Sequence, residues 1–240
     1  MYFLVLLRVR RKKTAVTIRP GDLHLRRKVV SGVFGVGLSA AIQNLLNVTG
    51  MMVLNNFTAS YGTVAVAAMG ITQKIDQVPL YVLMGLSLGV SPLISYTYAS
   101  KNFPRMKQTV VFTSILILTI GTASTIFLLL LSQPITAGFI ANPEVVACGA
   151  RLLNGFCLAL PFLCMDFMAV GVFQAVGMGR NALFFAIMRK IILEIPALFI
   201  LNHFFGLYGL AYAQLAAEVV LCAAAILMLV RLFRQIKSTR

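Results

Sequence analysis

Asp166 is a single carboxylate in the middle of the apolar run FCLALPFLCMDFMAVGVFQAVG, residues 156–177. In hydrocarbon an ionisable side chain costs at least about 2.5 kcal/mol on insertion scales, and it usually faces a cavity or a partner. No base stands within two helical turns of Asp166, Arg151 being about four turns away, so no ion pair along its own helix offsets that cost. A carboxylate so placed is suited to taking up and releasing a proton or a sodium ion, which makes Asp166 the candidate cation-coupling residue. The alternative is a protonated carboxyl hydrogen-bonded to a neighbouring helix.

Other polar residues interrupt apolar stretches in the same way. Glu218 stands as isolated as Asp166. Lys190 and Glu194 are four apart and can pair on one helix face, a local neutralisation near the cytoplasmic side, with Arg189 beside them. Lys74 and Asp76, in GITQKIDQVPLY, are two apart and cannot face each other on a helix, so at least one must look toward another helix or a cavity. Gln43, Asn44, Asn47 and Asn55 form a polar strip in which Gln43 and Asn47 share a face, suited to interhelical hydrogen bonds or to lining a polar path.

The elements that position these residues are membrane helices. The chain has 240 residues, 60% of them hydrophobic and 11% charged, with a mean hydropathy of +0.91. A soluble domain of that composition could not cover itself with polar surface. Apolar runs longer than the roughly 20 residues that cross a bilayer imply an all-α integral membrane protein, because helices satisfy their own backbone in lipid. Barrel strands, which alternate polar and apolar in runs of about ten, are excluded. Six spans are expected, at about 29–55, 63–99, 106–131, 144–176, 181–204 and 210–232. Pro79, Pro92, Pro161 and Pro196 fall inside them as candidate kinks.

The net charge of +15 follows membrane orientation rather than a nucleic-acid surface. Nine bases from Arg8 to Lys28 precede the first span. Lys101, Arg105 and Lys107 follow the second, Arg180 the fourth, and Arg231, Arg234, Lys237 and Arg240 close the chain. The intervening connections NNFTASYG and SQPITAGFIANPE carry no base. Both termini are therefore expected on the cytoplasmic side of a multi-pass protein of the cytoplasmic membrane, with an even number of spans. Residues 1–28 read as a basic cytoplasmic segment, 29–236 as the helical domain and 237–240 as a cytoplasmic tail. The run MYFLVLLRVRRKK has the wrong order for a secretory signal and looks like the end of a preceding helix. Cys148, Cys157, Cys164 and Cys222 read as small buried hydrophobes, with Cys157 and Cys164 on one helix face. No metal site is expected.

No nucleotide-binding glycine loop, GxSxG or HExxH is present, so an enzyme is not expected. The glycines of GLSLGVSP are spaced for close helix packing or bending. Within MGITQKIDQVPLYVLMGLSLGVSPLISYTYASKN they resemble a lobe's second helix in the multidrug and toxic compound extrusion (MATE) family. QAVGMGRNALFFAIMRKIILEIPALFI is similar to a later family segment, with Arg189 and the pair Ile195 and Pro196. FGLYGLAYAQLAAE resembles the G-x-x-G entry to the family's last helix, with Glu218 where an acid is common.

The resemblance implies one six-helix lobe, ordered like the C-terminal one, of an antiporter that exchanges sodium ions or protons for organic, often cationic substrates, with no cofactor. Asp166 falls where some members carry a cation-binding aspartate. Asn47 stands roughly where they carry a second acid, and Ser39 where proline is common. A complete path would require a second lobe, from another copy or a separate N-terminal half. Gln43, Asn47, Asp76 and Met165 are expected along the substrate path, with Arg189, Glu194 and Glu218 in structural or coupling roles. A flippase of lipid-linked sugars from the same superfamily and a truncated, non-transporting membrane protein are the alternatives.

Overall fold

Proline and glycine positions decide where these helices begin, break and turn. The computed structural model describes residues 27–238, with side chains for 30–35 and 37–234. In order these form α1 (Arg27–Ala59), α2 (Thr63–Ala99), α3 (Phe103–Leu130), α4 (Ser132–Phe139), α5 (Pro143–Cys157), α6 (Leu160–Ala175) and α7 (Gly179–Ile187). A π-helical turn (Met188–Glu194) and α8 (Ile195–Ser238) complete the chain. Among the described residues there is no strand. Of the expected basic segment 1–28 and tail 237–240, all but residues 27–28 and 237–238 lie outside the described residues. The chain divides into two units, 1–35 and 36–240, the first holding only the opening turns of α1 among the described residues.

Four stretches are long and apolar enough to cross a membrane, Val30–Ala59, Thr63–Ala99, Phe103–Leu130 and Gly179–Arg234, and the pair α5 and α6, bent by 45°, makes a fifth crossing. The 56 residues of Gly179–Arg234 would be about 84 Å long if straight, against roughly 30 Å of hydrocarbon. That stretch breaks at Gly206, whose φ of 59° and ψ of −141° are closed to other residues, so α8 supplies parts of two crossings. Counted with that break, these segments approximate the six expected spans.

The break between α5 and α6 follows from Pro161, which has no amide to offer the Cys157 carbonyl four residues back. The Thr125 hydroxyl on α3 donates to that carbonyl at 2.9 Å instead. Cys157 and Cys164 therefore lie on two helices and not on the one face expected for them, although both are buried. Pro196 produces a π turn rather than a simple kink. The wide turn ends at Glu194, so the proline falls in the first turn of α8, where a missing amide costs least. Pro79 and Pro92 lie within a continuous α2. Asn102 and Asn142 cap α3 and α5, their side chains accepting from Arg105 N and Glu144 N at 3.3 and 3.0 Å. The connection SQPITAGF, expected as loop, folds as α4 and buries Ser132 and Thr136 against its neighbours.

The bundle is held by α2 against α3, α5 and α6, and by α8 against α5, α6 and the π turn. Its largest core joins Leu83, Met106, Ile117, Met168, Phe173 and Leu221. Small residues set the closest approaches. A Cβ on Gly155 would stand 2.6 Å from Ala211 Cβ, and one on Gly121 would stand 2.7 Å from Cys164 Sγ. Gly85 and Gly89 of GLSLGVSP, expected to serve close packing or bending, have nothing within 4 Å and are exposed, so they do not serve close packing within the bundle.

Candidate functional site

Arg189 leaves the π turn just ahead of Pro196 and is buried, with 8% of its side chain exposed. Its Nη1 lies 3.2 Å from Asp166 Oδ2 on α6, and its Nε lies 2.7 Å from Glu218 Oε1 on α8. The guanidinium also sits over the Phe167 ring, 5.3 Å from its centroid. This corrects the expectation that Asp166 and Glu218 stand alone. Each lacks a base on its own helix, yet the fold brings one arginine between them. Burying such a cluster is tolerable only while the partners remain together.

The next residue continues the pattern. Lys190 Nζ meets Glu194 Oε1 at 2.6 Å, the pair expected from their spacing. Gly50 on α1 lies directly beneath it, since a Cβ there would come within 3.1 Å of Lys190 Cδ. A glycine at this point lets α1 approach the π turn.

Arg189, Lys190 and Glu194 form one wall of a cavity of about 440 Å³. Asn44, Asn47 and Met51 of α1 line it from a second side, and Gln73, Asp76, Gln77, Tyr81 and Met84 of α2 from a third. Phe156, Phe167 and Gln214 close it. The chain has six acids, of which Asp76 and Glu194 line this cavity while Asp166 and Glu218 lie behind it on Arg189. Only two bases, Arg189 and Lys190, are present to meet these four. When all are ionised the region carries an excess of negative charge, in a protein whose net charge is +15. A pocket of this kind favours a cation.

The expected path residues divide. Asn47 and Asp76 line the cavity. Gln43 is half-buried and accepts from Gln174 Nε2 at 3.4 Å, tying α1 to the end of α6, outside the cavity lining. Met165 is half-buried and outside that lining as well, one residue and about 100° round α6 from Asp166. Asn55 accepts from Gln73 at 3.3 Å, an interhelical bond of the kind its strip implies. Lys74 and Asp76 face opposite sides, with exposed Lys74 on an apolar groove of about 650 Å³ between α2, α3 and α4. Gly50, Tyr81, Phe156 and Phe167 are not singled out by the sequence, where aromatic and small residues inside apolar helices carry no mark, whereas Gln214 carries the polar mark in AYAQLAAE and was missed.

The MatE family model matches residues 39–200. The chain is 32% identical over 235 residues to the multidrug export protein MepA of Staphylococcus saprophyticus, covering 98% of this chain and 50% of that protein. It is 35% identical over 214 residues to MepA of Staphylococcus aureus strain NCTC 8325, covering 87% and 46%. The chain thus spans about half the length of the curated relatives it matches. In structure it resembles the Vibrio cholerae MATE transporter VcmN in the bent form, with a TM-score of 0.87 at 21% identity, covering 97% of this chain and 52% of VcmN. It also resembles an outward-facing multidrug resistance MATE family transporter of the MOP superfamily, with a TM-score of 0.91 at 18% identity, covering 99% and 54%. At those identities the likeness is one of fold. Residues 39–200, matched by the family model, place this all-α membrane chain in the MATE family.

Proposed function

We propose that the chain acts as one lobe of a multidrug antiporter of the cytoplasmic membrane, expelling small organic cations in exchange for sodium ions or protons. A second lobe, from another copy or a separate N-terminal half, completes the path. The observation that carries this reading is a cavity whose two bases, Arg189 and Lys190, are engaged by Asp166, Glu218 and Glu194, while Asp76 on the same lining has no partner among the described residues. The relatives named as multidrug export proteins support the same direction.

In this reading Asp166 is the coupling group. With Asp166 ionised, Arg189 is shared between α6 and α8 and ties the π turn to both. A proton or sodium ion on Asp166 neutralises it and leaves Arg189 held by Glu218 alone, so the π turn is free to shift relative to α6. Because the cation binds the two arrangements unequally, it biases the equilibrium between them. The bases, which fall in alternate connections along the sequence, support an orientation with both termini in the cytoplasm. A lipid-linked sugar would present a pyrophosphate, which needs free bases, whereas both bases of this lining are engaged by carboxylates.

Ethidium efflux from a pump-deficient bacterium expressing the chain tests this, with Asp166→Asn beside the wild type and the oligomeric state read from the same cells. Efflux is expected from an assembled dimer and is expected to fall to the vector background in Asp166→Asn. Efflux untouched by the substitution would remove Asp166 from coupling, and no efflux from well-assembled dimers would remove the self-sufficient transporter.

A further inference from the structure

Asp76 is the acid of the cavity that nothing inside the protein answers. It is 7% exposed, its Oδ1 is buried, and it has no hydrogen-bond or ion-pair partner among the described residues. Lys74, two residues before it, lies on the opposite side of α2 in the other groove. The charged groups that share the cavity wall with Asp76 are Arg189, Lys190 and Glu194. Both bases are engaged, Arg189 by Asp166 and Glu218, and Lys190 by Glu194. A buried carboxylate without a partner is costly, and such a group in a native structure calls for a ligand or a function.

The surroundings of Asp76 say what that ligand would be. The cavity, about 440 Å³, lies in the size range of small-molecule sites. Tyr81 and Phe156 offer aromatic surface, Met51 and Met84 offer soft apolar surface, and Gln73 and Gln77 add neutral amides to the lining, while the Phe167 ring is taken by Arg189. Rings that carry a delocalised or quaternary positive charge meet both needs at once, apolar contact with the walls and a counter-charge at Asp76. Asp166 and Glu218 cannot serve such a bulky ligand, because they lie behind Arg189 with 2% and 0% of their side chains exposed.

We infer that Asp76 is the counter-ion that binds an organic cation in this cavity, a role separate from that of Asp166. The assignment deepens the transport reading and rests on it for the fate of the bound cation. It divides the acids by task. Asp76 faces the cargo, while Asp166 and Glu218 hold the arginine of the π turn.

Equilibrium binding of tetraphenylphosphonium to the purified full chain in lipid nanodiscs, with no ion gradient, tests the assignment. Asp76→Asn is expected to weaken binding by about tenfold or more, a loss of about 1.4 kcal/mol or greater. Asp76→Glu keeps the charge and is expected to bind within about threefold of the wild type, and Lys74→Met, in the other groove, to leave binding unchanged. Each variant is compared only after it elutes with the wild type in size-exclusion chromatography. Asp76→Asn binding as tightly as the wild type, no binding by the wild type, or displacement of the probe by sodium would each overturn the assignment. Asp76-dependent binding without any efflux would keep the assignment and reject the antiporter, whereas efflux without Asp76-dependent binding would do the reverse.

Discussion

Arg189→Leu is expected to lower the stability of the folded chain by about 3–5 kcal/mol, the range for breaking a buried ion pair by removing one partner. The substitution leaves Asp166 and Glu218 facing each other in a dry interior, with no other base paired to either. It also deletes the guanidinium that packs over Phe167. Arg189→Lys restores the charge but not the fork that reaches α6 and α8 together, so its loss is expected to fall between wild type and leucine. Glu218→Gln combined with Arg189→Leu should recover part of the deficit, because one of the two stranded charges is gone. Thermal unfolding of the detergent-solubilised protein reads all three. A leucine variant as stable as the wild type would mean that the cluster is not held together by its arginine.

Gly209→Ala is expected to cost about 3 kcal/mol, the upper end of the range for overpacking. A Cβ at this buried position would run into the carbonyl of Leu201 on the other side of the break in α8. Backbone cannot swing aside as a side-chain tip can. Gly206→Ala strains the same turn for a different reason, its positive φ, at about 1–3 kcal/mol. By contrast, Gly85→Ala meets open space and is expected to be neutral within about 0.5 kcal/mol in the same unfolding assay. Equal losses at Gly85 and Gly209 would contradict this account of the turn.

Much of the site was legible because the chain is so poor in acids. Asp76, Asp166, Glu194 and Glu218 stand out in apolar helices; Asp76 and Glu194 line one cavity, and Asp166 and Glu218 lie behind it on Arg189. Their pairing was not legible. The spacing of Lys190 and Glu194 announces a pair along one helix, whereas Arg189 finds its partners on α6 and α8, which depends on how three helices pack. Spans longer than a bilayer crossing were visible from hydropathy alone, but the π turn was not. Pro196 signals a disturbance without saying whether the helix bends or widens. Gly206 and Gly209 were noticed through the family likeness of FGLYGL, and only the backbone angles and the Leu201 carbonyl supply their physical reason. Met165 and Phe167 flank Asp166 in sequence, yet only Phe167 reaches the cavity, a difference of helical direction that residue type does not reveal.

In the proposed function, cations at Asp166 drive organic cations along a path of which this chain supplies one lobe. Proteoliposomes holding the purified chain, loaded with ethidium and subjected to a sodium or a pH gradient, test it most directly. Ethidium is expected to move under one of the two gradients, to reverse when that gradient is reversed, and to lose the response in Asp166→Asn. Folded, dimeric protein that moves no ethidium under either gradient, or movement that persists in Asp166→Asn, would contradict it.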